Sequence, residues 1–253
     1  MRDFLLKVFE MSHFNTGISV TAFSIPHIIY ALLIAGGIIF AYYFFKDKSE
    51  NKKESLFRFL AYALVISYIF DFFAHDFVYG GLNMDKLPFH ICTVLCPIVA
   101  FVQFNKKFKK FVEPVSFLAI IGPLMYLVYP ASIGSGEPWC YQAVQTMVYH
   151  GVLLAWGVLN IALKTFKPEF RNCWKALVLL VIITLWAKLG NTIYQDYNWF
   201  FLEEDAFYIG LVENGIIPKW SLMIINPVAV FLVVLAIYGI YYGVMKLKSK
   251  KVK

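Results

Sequence analysis

The chain has 253 residues, of which 60% are hydrophobic, 19% aromatic and only 15% charged. A soluble domain has about 25% charged residues, and the apolar residues here form long runs, so we predict a polytopic membrane protein. The net charge of +7 comes mainly from short basic loops and a basic tail, so we do not interpret it as a nucleic-acid-binding surface. Residues 1–24 lack the apolar core and small-residue cleavage site of a signal peptide, so we expect the first span to direct insertion.

Seven apolar runs follow one another along the chain, and we predict an all-α membrane bundle of seven transmembrane helices. Each run has about 18 to 25 residues, which fits a hydrocarbon core of about 30 Å. Residues 1–25 are predicted to form an interfacial segment, 26–245 the transmembrane domain, and 246–253 a basic cytoplasmic tail. The predicted spans are 26–45, 56–79, 87–104, 111–129, 139–163, 174–194 and 220–245.

The distribution of basic residues predicts the orientation of the bundle. The loops after spans one, three and five, their flanks and the tail hold 18 of the 23 lysines and arginines. Basic loops stay on the cytoplasmic side. We therefore predict a multi-pass protein of the cell membrane with its N-terminus outside and its C-terminus inside.

Polar residues gather in the predicted outer halves of five spans. Ionisable groups at membrane depth are costly and usually functional, so we predict a polar pocket open toward the outer leaflet. The residues that define it are Asp71, His75 and Asp76 in span two, His90 and Cys92 in span three, His150 in span five, Lys188, Asn191 and Gln195 in span six, and Asn226 in span seven.

His90 and His150 are the candidate general acids or bases of this pocket. The alternative for His90 is a structural hydrogen bond to a loop carbonyl. His150 lies deeper, and the neighbouring Gly151 is expected to let another helix approach closely. Cys92 is a candidate nucleophile that needs a base such as His150 or His75. The alternative for Cys92 and Cys96, four residues apart, is a pair of small buried apolar side chains.

The remaining polar residues are candidates for substrate binding or support. Asp71 and His75 lie four residues apart, so an orienting carboxylate–imidazole pair and a structural interhelical bond are both open. Lys188 is expected to pair with Asp71 or Asp76, or to bind a phosphate. Asn191 and Gln195 are expected to share one helical face. The histidine spacing gives no metal motif, so no metal or other cofactor is predicted.

Three aromatic positions suggest where the bundle meets the membrane surface. Trp139, Trp199 and Trp220 lie at predicted span ends, and tryptophan is enriched at the boundary between lipid and water. We therefore expect all three to be interface anchors.

Three short segments resemble the transmembrane protein 164 family and are most similar to its bacterial YwaF-like branch. They are LPFHIC at 87–92, YHG at 149–151 and GNTIYQDYNWFFL at 190–202. The resemblance covers spans two to seven and rests on the order of the three segments. It implies a seven-span membrane acyltransferase in which His90 and His150 are core site residues. The animal branch is expected to have a cysteine directly before the span-three histidine, where this chain has Phe89, so a covalent acyl-cysteine route is in question.

Two functions are therefore compared. The first is a lipid acyltransferase that transfers or remodels acyl chains on phospholipids and lysophospholipids, with membrane lipids as its partners. The second is a small-molecule transporter or receptor that uses the same pocket for a ligand or protons. A short chain without an internal repeat favours the first. Substitution of the histidines separates the two functions: loss of turnover with ligand binding left intact indicates the enzyme.

Overall fold

The computed structural model describes residues 18, 20–82, 84–128, 137–204 and 210–251, and in this part the chain is an all-α bundle. The predicted interfacial segment falls largely outside the described residues, as does the end of the tail. Short 3-10 helices occupy Met84–Lys86, Lys106–Phe111, Phe170–Asn172, Trp199–Phe201 and Lys219–Ser221. The α-helices of the described part are α1 (Ile25–Phe45), α2 (Glu50–Tyr79), α3 (Ile91–Phe104), α4 (Val112–Val128), α5 (Tyr141–Ala162), α6 (Cys173–Ile193) and α7 (Leu222–Lys251).

Six helical segments of the described part are long and apolar enough to cross a membrane. The exception is α3, whose 14 residues extend about 21 Å at 1.5 Å per residue. That length is less than a hydrocarbon core of about 30 Å. The structure therefore supports a multi-pass membrane protein, whereas the orientation and the identity of the membrane stay predictions.

The start of α3 differs from the sequence-based expectation. We expected a helix from residue 87, but α3 begins at Ile91 with His90 as its N-cap residue in an extended conformation. Pro88 excludes Leu87 from the helix, because proline disfavours α-helical geometry at the residue before it, and Phe89 packs outside the helix against Gly190 and Trp199. His90 consequently lies at the N-terminal end of α3, next to irregular backbone.

Helix α4 forms the centre of the bundle. Its residues from Val115 to Ile121 are almost completely removed from solvent, as expected for a helix that is apolar all round. A Cβ atom at Gly157 of α5 would lie 2.7 Å from the backbone oxygen of Ser116. Glycine therefore allows α5 to pack directly on the α4 backbone.

Two glutamates organise the end of the bundle opposite His90. Glu113, at the start of α4, is buried and accepts hydrogen bonds from Tyr238 of α7 and from Asn172, each at 2.7 Å. Glu54 of α2 accepts hydrogen bonds from Lys109 at 2.9 Å and from Gln103 of α3 at 3.1 Å. These bonds fix the basic connections after α3 and α5 to the helices.

We predict that Gly157→Ala lowers the stability of the bundle by about 1–3 kcal/mol, because the added methyl group would overpack the α4–α5 contact. The matched control is Gly37→Ala in α1, where a Cβ would meet nothing within 4 Å. That control should be neutral or gain about 0.5–1 kcal/mol from the better helix propensity of alanine. Thermal unfolding in detergent checks both variants, and equal melting temperatures for the two would contradict the close packing at Gly157.

Candidate functional site

An ion pair closes the turn between α2 and α3. Asp71 is only 6% exposed, and its carboxylate lies 3.0 Å from the Lys86 ammonium. The Tyr68 hydroxyl donates to the backbone oxygen of Lys86 at 2.7 Å, so this turn is held to α2 at two points. The expectation that Lys188 would pair with Asp71 or Asp76 was wrong, because Lys86 reaches the Asp71 carboxylate and Lys188 pairs with Glu203. The sequence analysis missed Lys86, which lies in a turn and not in a span.

His90 is oriented by the connection between α6 and α7. The Phe200 N–H donates to His90 Nδ1 at 3.3 Å, and the ring lies 5.8 Å from that of Phe201. Because Nδ1 accepts this bond, the neutral imidazole carries its proton on Nε2. Nε2 lies 3.9 Å from an Asp85 carboxylate oxygen. His90 is therefore set up as a hydrogen-bond donor through Nε2.

His150 is held in the opposite tautomer. Its Nδ1 lies 2.8 Å from the backbone oxygen of Thr146, and a carbonyl can only accept, so Nδ1 carries the proton. The ring is buried and stacks on Tyr126 at 4.0 Å between centroids with 10° between the planes. The Nε2 lone pair has no hydrogen-bond donor among the described residues. Nε2 of His150 is therefore suited to accept a proton.

His150 lies within electrostatic range of His90 and Lys86, and no hydrogen bond joins the two imidazoles among the described residues. We call Lys86, His90 and His150 the polar cluster. The cluster thus combines the ammonium of Lys86, an imidazole donor and an imidazole acceptor. Such a set can deprotonate a hydroxyl and stabilise negative charge that develops on a neighbouring oxygen.

The α6–α7 connection is held in a strained conformation by two asparagines. Phe200 and Phe201 have φ values of 57° and 53°, which are rare for bulky residues and cost energy. Asn191 donates to the Trp199 carbonyl at 3.0 Å and accepts from the Trp199 N–H at 2.9 Å. The Asn226 amide donates to the Phe200 and Phe201 carbonyls at 3.0 and 2.7 Å. Both asparagines support the backbone that orients His90.

Glu203 ties the same connection to α6 and to the start of α7. Lys188 donates to its carboxylate at 3.0 Å, and Lys219 pairs with the other carboxylate oxygen. Burial alone would raise the pKa of Glu203, but the hydrogen bonds from Lys219 and Lys188 together lower it. Lys188 thus supports the connection through Glu203.

Cys92 packs against α4. Its Sγ lies 3.2 Å from the position that a Cβ would take at Gly122, and its backbone oxygen accepts a hydrogen bond from Tyr149 at 2.9 Å. Within the described residues no hydrogen bond joins the Cys92 thiol to His90 or His150. The catalytic role of Cys92 therefore stays a prediction, because no imidazole among the described residues is hydrogen-bonded to the thiol to activate it.

Other predicted site residues lie apart from the histidine pair. His75 Nδ1 is 2.8 Å from the Gly81 carbonyl, at the turn after α2. Gln195 is exposed and follows the end of α6 at Ile193, so the predicted shared helical face with Asn191 was wrong. Trp199 is fully buried and is not an interface anchor, whereas Trp139 and Trp220 are exposed.

The first and third of the three sequence segments meet through packing. The Phe89 ring packs directly on Gly190, where an added Cβ would lie 2.6 Å from that ring. The ring centroids of Phe89 and Trp199 are 4.7 Å apart. Gly151 allows α1 to pack closely, because a Cβ there would lie 2.9 Å from Ile34.

Within the described part, no group of three or more histidine, cysteine or acidic residues could hold a metal ion.

Comparison with known proteins identifies a family. A model of the TMEM164 family matches residues 22–241, a range that contains α1 to α6 and most of α7. No curated protein matches the chain, and no solved structure matches it. The family resemblance predicted from the three segments is thus confirmed, while the YwaF-like branch within it stays a prediction.

We predict that Asn191→Leu loosens the α6–α7 connection, because both polar groups of the Trp199 backbone lose their partner. An unsatisfied buried group costs about 1–3 kcal/mol, so amide hydrogen exchange across 198–204 should accelerate by roughly tenfold or more. The control is Thr192→Val on the neighbouring residue, whose hydroxyl bonds only within α6 to the Lys188 carbonyl. Unchanged exchange in Asn191→Leu would show that this amide does not hold the connection.

A pH-dependent difference in stability should follow from Glu203. Its pKa in the folded protein lies below the ordinary value of 4.5, so its ion pairs stabilise the fold above about pH 4.5 and lose this effect as the pH falls through the lowered pKa. The melting temperature of the wild type should exceed that of Glu203→Gln above this pH, and the gap should close in more acidic buffer. A gap that does not change with pH would contradict this assignment.

Proposed function

We propose that this chain, which belongs to the TMEM164 family, is an integral membrane acyltransferase. It would move an acyl chain from a phospholipid donor to a lysophospholipid acceptor. The observation that carries the proposal is that Nδ1 of His150 faces a backbone carbonyl whereas Nδ1 of His90 faces a backbone N–H, which assigns opposite tautomers to the two rings. His150 offers a lone pair on Nε2, and His90 offers a proton on Nε2. Acyl transfer between oxygens needs one group of each kind.

Transfer would proceed in two steps. The acceptor hydroxyl gives its proton to His150 Nε2 while its oxygen bonds to the donor ester carbonyl carbon. The negative charge on the former carbonyl oxygen is stabilised by the His90 Nε2–H. When the tetrahedral intermediate collapses, the bond to the donor glycerol oxygen breaks, and His150 returns the proton to that oxygen. No redox partner or water is required.

Lys86 gives this cluster the charge to bind a phospholipid headgroup. Its ammonium has three donors, and Asp71 satisfies part of this capacity at 3.0 Å. The side chain retains 27% of its exposure. A phosphate of donor or acceptor would complete the coordination of Lys86 close to both histidines. Asp71 would then position Lys86 without contacting the substrate.

Cys92 defines the alternative covalent route. In that route the thiol would take the acyl chain first, and a base would have to deprotonate it. The packing of its Sγ at Gly122 and the absence of an imidazole hydrogen bond in the described residues favour direct transfer. Hydroxylamine distinguishes the routes, because it releases an acyl group from a thioester under conditions that leave oxygen esters intact.

We predict that His150→Gln lowers acyl transfer by at least about 100-fold, because it removes the proton acceptor. His90→Ala should lower the rate by about 100-fold or more through loss of the oxyanion donor. The assay uses purified protein in phosphatidylcholine vesicles with an isotope-labelled acyl donor and added lysophosphatidylethanolamine. Thr192→Val serves as the control and should retain the wild-type rate.

Two results would change the proposal. If the wild type transfers no label with any lysophospholipid offered but binds a small polar ligand, and the histidine variants lose that binding, a transporter or receptor replaces the enzyme. If labelled protein accumulates, hydroxylamine removes the label and Cys92→Ser prevents its formation, the covalent route replaces direct transfer.

A further inference from the structure

An apolar groove lies away from the histidine cluster, in the half of the bundle where α3 ends and α6 begins. Its volume is about 510 Å³, within the range of about 300–1,000 Å³ that is usual for ligand pockets. Helix α4 forms its floor at Pro114 and Val115, α3 one wall at Pro97 and Phe101, and α6 the other wall at Val178 and Ile182.

The groove opens sideways out of the bundle. Phe101, Val178 and Ile182 line it, and each is about half exposed. In a membrane these side chains would face the hydrocarbon of the lipid. The occupant best matched to such a groove is an acyl chain, because it is apolar, elongated and already present in the surrounding bilayer.

Positive charge borders one end of this apolar surface. Lys175 lines the groove and has no hydrogen bond or ion pair among the described residues. Phe108 and Phe111 line the groove as well, and they belong to the basic segment Lys106–Phe111. Lys110 lies 5.4 Å from the Phe111 ring centroid, whereas Lys109 is bound to Glu54. Lys175 and Lys110 are thus two cations beside the groove that form no ion pair with a carboxylate among the described residues.

We propose that this groove is a binding site for an anionic phospholipid, with one acyl chain between α3 and α6 and the headgroup phosphate at Lys175 and Lys110. The basic end is the one predicted to face the cytoplasm, where anionic lipids attract basic segments. The site is separate from the histidine cluster and does not depend on acyl transfer. It would bind a resident lipid that fills the gap beside α4.

Native mass spectrometry of the full-length protein tests this site. The protein is mixed in detergent with equal amounts of phosphatidylglycerol and phosphatidylcholine that have the same acyl chains, and is then released from the detergent in the spectrometer. It should retain phosphatidylglycerol at least threefold more often than phosphatidylcholine. Lys175→Gln should abolish most of this preference. The control Lys167→Gln removes an exposed lysine outside the groove and should keep the preference.

A second pair of variants tests the apolar part. Val178→Trp fills the groove and should lower the retention of both lipids. Val181→Trp is the matched control, since Val181 has nearly the same exposure as Val178, at 45% against 46%, but lies outside the groove. Equal losses within either pair of variants, or retention of both lipids at the same level by the wild type, would overturn the proposal. Binding of a protein partner that Val178→Trp blocks, without any lipid preference, would also overturn it.

Discussion

The ion pair between Asp71 and Lys86 is the constraint on which the candidate site depends. A carboxylate that is 6% exposed inside a membrane bundle would be too costly without a cation. The Lys86 ammonium at 3.0 Å supplies that cation, and the Tyr68 hydroxyl fixes the backbone at the same residue. Beyond Lys86 the chain turns through Pro88, and α3 starts at Ile91. This turn places His90 at the end of the helix, where a second segment can reach it.

That second segment supplies the hydrogen bonds that hold the irregular backbone beside His90. Two consecutive phenylalanines with positive φ would relax without support, and the side-chain amides of Asn191 and Asn226 provide it. Glu203 adds ion pairs to Lys188 and Lys219. The strain thus has a specific result, which is an N–H directed at His90 Nδ1. His150 needs no such loop, because the carbonyl of its own helix, at Thr146, fixes its tautomer.

The sequence predicted the features that depend on local pattern. Long apolar runs predicted the helices, whereas the placement of the polar cluster toward the outer leaflet stays a prediction. The sequence did not predict the partners of Asp71 and Lys188, because these pairs form between a span and an irregular connection. Pro88 is a local signal against a helical Leu87, and the prediction from the apolar run at Leu87 did not use it. Asn191 and Asn226 were expected near the site, yet their support of a strained backbone could only be seen in three dimensions.

The opposite tautomers of His90 and His150 are the central claim, and nitrogen NMR measures them directly. The protein would be labelled with ¹⁵N in the rings of its five histidines and studied in lipid bilayers at neutral pH, with His90→Gln and His150→Gln to assign the signals. We expect His90 to carry its proton on Nε2 with Nδ1 unprotonated, and His150 to carry its proton on Nδ1 with Nε2 unprotonated. The same tautomer at both positions, or a doubly protonated ring at either one, would contradict the division into a donor and an acceptor.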